Sequence, residues 1–228
     1  MRHEALALFE QGLRVRYGVD AIIGIDEAGR GALAGPVYAA ACIISDPRST
    51  GFINDSKLLS ERQRQQAYAL MPSHAVFATG VASVAEIDRE NILRATWLAM
   101  ERAYRQLVPL LADRGWTLAR LGVVVDGPSL PPFLCKSGVP TALALIDADA
   151  VILAVAGASI AAKVERDRCM RDLSRRIHGY GLDHNVGYGT REHIAALRAR
   201  GPSSEHRRTF VVKALLPPDE ELPLGTSS

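Results

Sequence analysis

The sequence predicts an α/β domain, with a mixed central β-sheet flanked by helices and a helical C-terminal region after it. Three observations carry that expectation. Two β-rich apolar runs, 21–25 and 37–44, are joined by a loop too short to hold a crossover helix, so they pair as an antiparallel hairpin. A continuous apolar run at 121–125 has the character of a strand buried on both faces. Around these runs, segments with helical periodicity alternate with further strand segments.

In chain order, "MRHEALALFEQGLRVRYGVD" reads as a mixed-charge helix over 1–20 and not as a signal peptide. The hairpin follows, and a third strand falls near 74–82. "SERQ" (60–63) and "SVAE" (83–86) have the capping-box pattern. The first opens a helix through about Leu70. The second opens a single helical segment in which Ile92, Ala95, Ala99 and Ala103 recur on one face. After the strand at 121–125 comes another at 142–146. A long helix starts at Ser159, with Ile160, Val164, Leu173 and Ile177 inward. A last helix runs from about Thr190 to Arg200 and is stopped by Gly201-Pro202. The chain divides into an N-terminal helix (1–20), a main domain (21–190), a helical region (191–216) and a loose, acidic, Pro-rich tail (217–228).

The 228 residues are 48% hydrophobic and 23% charged, enough apolar side chain for a real core. A net charge of +2 means that any polyanion must be met by a local basic patch. Cys42, Cys135 and Cys169 have no CxxC spacing and are odd in number, which suits reduced, buried thiols in the cytoplasm. No apolar stretch approaches a membrane span, and nothing demands more than a monomer.

Three of the expected strands end in acids: Asp26-Glu27 follow Ile25, Asp126 follows Val125, and Asp147 and Asp149 follow Ile146. Ends of neighbouring strands in an α/β sheet lie close together, and ligands collect there. Any one of these acids could simply cap a helix or start a turn. Several converging carboxylates instead call for divalent cations, and an all-oxygen donor set suits Mg²⁺ or Mn²⁺.

Gly29, Gly31 and Gly35 resemble a dinucleotide fingerprint, but that motif must open a helix. Here Pro36 and "VYAAACII" leave no room for one, and two adjacent acids would oppose a pyrophosphate. Glycines that let a nucleic-acid strand approach the backbone, with Arg30 as a phosphate or sugar contact, fit better.

"GIDEAGRGALAGPV" (24–37) resembles the signature of type II ribonuclease H, the ribonuclease HII family. "NDSKLLSERQR" (54–64), "NILRATWLAM" (91–100), "VVVDGPSL" (123–130), "AGASIAAKVERDRCM" (156–170), "GYGTREH" (187–193) and "GPSSEHRRTF" (201–210) resemble its other blocks in order. The resemblance implies a ribonuclease H-like fold and cleavage of RNA in RNA–DNA hybrids. It also implies cutting 5′ to a single ribonucleotide in duplex DNA, by two-metal-ion hydrolysis that leaves 3′-hydroxyl and 5′-phosphate ends.

By the same resemblance Asp26, Glu27, Asp126 and Asp149 are the metal-binding acids. Asp147 is a live alternative to Asp149, because "IDADAVIL" departs from the family's surroundings for the fourth aspartate. Gly29, Arg30, Gly31 and Tyr188 would read the 2′-hydroxyl, the group that separates RNA from DNA. Tyr180 would be packing, and Val186 stands where the family often has lysine. Lys57 and Lys163 are phosphate-contact candidates. The other basic residues of "KVERDRCMRDLSRR", with Arg207 and Arg208, read either as further contacts or as a solvated face. His184 and His193 fit no zinc pattern. A nucleic-acid-binding module without catalysis and an integrase-like strand-transfer enzyme are the competing readings. The intact acids oppose the first, and the "GRG" and "GYGT" blocks oppose the second.

Overall fold

A computed structural model describes residues 2–47, 50–53 and 58–215. Lys57 and the 217–228 tail lie outside the described residues. After helix α1 (Arg2–Tyr17), strands β1 (Ala21–Ala28) and β2 (Val37–Ile44) form the expected hairpin, with Gly24 opposite Cys42 and Glu27 opposite Ala39. Helix α2 (Glu61–Leu70) starts at the Ser60 capping box, and β3 (Ala75–Ala82) pairs antiparallel with β2. Strand β4 (Leu121–Asp126) lies parallel to β1, and β5 (Thr141–Leu145) lies parallel to β4. The sheet order is β3-β2-β1-β4-β5, so β1 is central and its end opens between both kinds of neighbour.

The strand alternation sorts the core into two layers. Ala21, Ile23 and Ile25 of β1 face one cluster with Val123, Val125 and the buried stripe of α4 (Ile92–Ala112). Ile22 faces the other, built on α5 (Leu153–Ser174).

Two helices differ from expectation. The segment opened by Ser83 is not one helix: α3 (Val84–Glu90) ends at Asn91, which has φ 69°, and α4 begins afresh. The Asn91 side chain accepts from the amides of Leu93 and Arg94, so it caps α4 while breaking α3. Helix α5 starts six residues before Ser159. Its first turns are buried on every side, which leaves no polar face to mark its beginning. Helices α6 (Leu182–Asn185), α7 (Arg191–Arg200, capped by Thr190) and α8 (Arg208–Leu215) form the C-terminal region. Among the described residues no helix is long and apolar enough to cross a membrane. Of the thiols only Cys42 is buried, and Cys135 is exposed at the surface, contrary to expectation.

Residue Ile152, which precedes α5, offers no side-chain cap. Glu10 of α1 supplies one from elsewhere: its Oε2 accepts from the Ala154 amide at 2.8 Å. Burial raises the Glu10 carboxyl from 4.5 to about 7, against the lowering influence of that amide and of Arg14. Its ionisation therefore opposes folding. Stability present below pH 4.5 is lost as pH rises through about 7, by about 3 kcal/mol at most. Glu10→Gln keeps the acceptor and removes the charge. Chemical denaturation from pH 5 to 8.5 should find the variant flatter in pH and the more stable chain above pH 7.

Candidate active site

Because β1 runs on to Ala28, Asp26 and Glu27 are strand residues, not the loop that follows a strand ending at Ile25. Successive side chains of a strand point to opposite faces, so two adjacent carboxylates avoid each other at the source. Asp26 turns towards α5 and is buried, with 5% exposure. Glu27 lies towards the other face and touches Arg30 at 3.4 Å. Both still line one crevice of about 360 Å³ at the carboxyl end of the strand.

Asp126 enters that crevice from the end of β4. Its Oδ1 accepts the Ala148 amide at 2.7 Å, which ties β4 to the short 3-10 turn Ala148–Ala150 after β5. Asp149 is in that turn, with 1% exposure, but does not line the crevice. Asp147 is exposed and holds a left-handed backbone, φ 57°. Burial raises the Asp26 carboxyl well above its ordinary value, and the neighbouring charges of Glu27 and Asp126 raise it further. The Ser159 hydroxyl and the Glu27 amide act in the opposite direction. That amide donates to Asp26 Oδ1 at 2.7 Å. Among the described residues, no three acid, histidine or cysteine side chains already stand close enough to hold one ion.

The opposite wall is basic and polar. Ser159 and Lys163 come from successive turns of α5, Arg64 from α2, and Tyr188 from the turn before α7. Lys163 pairs with Asp167 at 2.8 Å, and its ammonium is 5.7 Å from the centre of the Tyr188 ring. Tyr180 is buried instead: its hydroxyl donates to the Gly201 carbonyl and its ring packs on His193 and His206. Sequence reading missed Arg64, although it lies inside the 54–64 block, and gave Ser159 no role.

The floor of the site corrects the reading of two arginines. Arg166 and Arg207 are neither phosphate contacts nor a solvated face, since both are fully buried. Arg166 donates to the carbonyls of Ala34, Pro36 and Val186. Arg207 donates to those of Gly29, Arg30 and Gly35, at 2.7–2.9 Å. A Cβ on Gly29 would sit 1.7 Å from Arg166 Nε, so that glycine makes room for the guanidinium. Gly31 differs: a Cβ there meets nothing within 4 Å. Arg168 and Arg171 of α5 pair with Glu165 and Glu61, and Arg175 just past its end pairs with Asp172, as an ordinary solvated face does.

A family model described as Ribonuclease HII matches residues 23–214. The ribonuclease HII of Rhodospirillum rubrum is 46% identical over 195 residues, covering 83% of this chain and 83% of that protein. That of Paramagnetospirillum magneticum is 44% identical over 197 residues, covering 83% and 89%. Among solved structures, the ribonuclease H2 of Pyrococcus horikoshii aligns with a TM-score of 0.61 and 25% identity, over 85% of this chain and 96% of the other. A Bst-RNase HIII in complex with Mn²⁺ aligns at 0.64 and 21% identity, over 86% and 69%, and shares the fold.

Proposed function

The chain belongs to the ribonuclease HII family, hydrolases that cleave the RNA of RNA–DNA hybrids, and we propose that it also cuts duplex DNA on the 5′ side of a single embedded ribonucleotide. Products would carry 3′-hydroxyl and 5′-phosphate ends. Two divalent cations, Mg²⁺ or Mn²⁺, would be held by Asp26, Glu27 and Asp126, with Asp149 as the fourth acid. The observation that carries this is the Asp26 carboxylate: buried, and opposed by two more acids in the same crevice. An all-oxygen set under that mutual repulsion suits a hard cation. When bound, such ions supply an activated water and stabilise the leaving oxygen.

The chain's own residues do the rest. The 3.4 Å contact to Arg30, whose side chain is 43% exposed, is a weak restraint on Glu27. The buried Asp149, one residue past the amide that holds Asp126, is better placed than the exposed Asp147. Lys163, Arg30 and Arg64 face the crevice as counter-charges for phosphates. Gly29, Arg30 and Gly31 present backbone to the ribose 2′-hydroxyl, and Tyr188 stacks on the sugar that follows it.

Incubation with Mg²⁺ and a DNA duplex carrying one ribonucleotide tests the proposal. A nick 5′ to the ribonucleotide supports it. Binding without a nick, or cutting of long hybrids only, overturns it. Gly31→Ala gives a sharper check, because nothing in the protein occupies the space of the new methyl. Its melting temperature should match the parent chain, while KM for that duplex rises about tenfold, roughly 1.4 kcal/mol of lost binding.

A further inference from the structure

Tyr188 does not hold its position alone. Its backbone carbonyl lies 2.9 Å from His193 Nδ1, and His193 Nε2 lies 2.9 Å from His206 Nε2. On the far side, the Ser203 amide donates to His206 Nδ1 at 3.0 Å. A backbone amide can only donate, so His206 Nδ1 is the acceptor and its proton sits on Nε2. That proton points to His193 Nε2, which leaves the His193 proton on Nδ1, aimed at the Tyr188 carbonyl. One arrangement of protons satisfies all three contacts, with both rings neutral. Both rings are buried, at 0% and 2% exposure.

The next residue holds the other half of the ribose-reading surface. Arg207 binds the carbonyls of Gly29 and Arg30, and its amide donates to Leu33 O at 2.9 Å. His206 itself bridges in antiparallel fashion to Ala34. The segment 203–207 therefore touches both the glycine loop and the tyrosine turn, pieces more than 150 residues apart in the chain.

We propose that His193, oriented by His206, is a positioning residue that sets Tyr188 against the glycine loop, with the His206-Arg207 pair holding both in one frame. This deepens the proposed function, since it rests on Tyr188 and the loop as the readers of the ribose. Without His193 the Tyr188 carbonyl keeps only the Thr190 amide at 2.8 Å, a contact within the turn itself, and the turn loses the buried donor that ties it to His206 and the rest of the frame. Recognition of the ribose junction weakens, whereas the acids are untouched.

The readout is the ratio of kcat/KM on a single-ribonucleotide duplex to kcat/KM on a continuous RNA–DNA hybrid. His193→Ala should lower that ratio about tenfold, mostly through KM, in the direction that Tyr188→Ala lowers it. Adding His193→Ala to Tyr188→Ala should cost little more, because contacting residues of one unit are not additive. His193→Asn, whose amide nitrogen can stand where Nδ1 does, should restore most of the ratio. If His193→Ala does not fold, His206→Leu carries the test, as it fills the space but removes the donor to His193. An unchanged ratio in these variants, with a lowered one in Tyr188→Ala, overturns the positioning role alone. An unchanged ratio in Tyr188→Ala overturns the reading of Tyr188 and this inference with it.

Discussion

Asp126→Asn is expected to lower single-turnover cleavage of a ribonucleotide-containing duplex on the order of a thousandfold, equivalent to several kcal/mol of transition-state stabilisation. The substitution is well matched to the fold. Asp126 Oδ1 accepts the Ala148 amide at 2.7 Å, and an asparagine carbonyl oxygen can accept the same bond. The link from β4 to the Ala148–Ala150 turn is then kept, and only the charge is lost. In metal-free buffer that loss removes a repulsion which now pushes the Asp26 carboxyl upwards, so the variant should be no less stable than the parent. Fluorescence anisotropy should show duplex binding preserved. The decisive comparison is rate against melting temperature. A variant that cuts at the parental rate would remove Asp126 from the catalytic set, and one that fails to fold would place its role in the turn.

Much of the sheet was legible because its signals are local. The hairpin, the parallel strand at Leu121 and the capped start of α2 depend on residues that neighbour each other in sequence. What failed depends on distant partners. Nothing near Ile152 announces the start of α5, because its cap is Glu10, 144 residues away. Arg166 and Arg207 read as members of charge runs, while their carbonyl partners come from the loop and turns that they hold together. Asn91 was hidden for the opposite reason: the Ser83 capping box and the stripe from Ile92 merge into one apparent helix unless the asparagine turns left-handed. The acids of the site were visible as strand-end carboxylates. That Asp26 and Glu27 diverge to opposite faces followed only once β1 was seen to continue through them to Ala28.

Gly24→Ala should be among the most damaging single methyls in the chain. Gly24 lies two residues before Asp26, so both face α5. A Cβ on Gly24 would stand 2.2 Å from Ala154 C and Val155 N, and 2.5 Å from Ala154 O. All three are backbone atoms of a helix whose first turn is pinned by Glu10, so no side chain can swing aside. Overpacking against a backbone that cannot move should cost about 3 kcal/mol or more, which lowers the melting temperature of a chain this long by about 6–12 °C. The close approach also sets the site. One turn beyond Val155, Ser159 bonds Asp26, and one turn further Lys163 lines the crevice. Any retreat of α5 from β1 therefore withdraws both groups, and cleavage should fall even at temperatures where the variant is folded. Gly12→Ala is the matched control. It adds the same methyl within α1 where nothing lies within 4 Å, so it should raise stability by up to about 1 kcal/mol and leave cleavage unchanged. Calorimetry and single-turnover cleavage on the two variants side by side would decide the matter. Equal, small effects from both would mean that the contact between β1 and α5 does not set the position of Ser159 and Lys163.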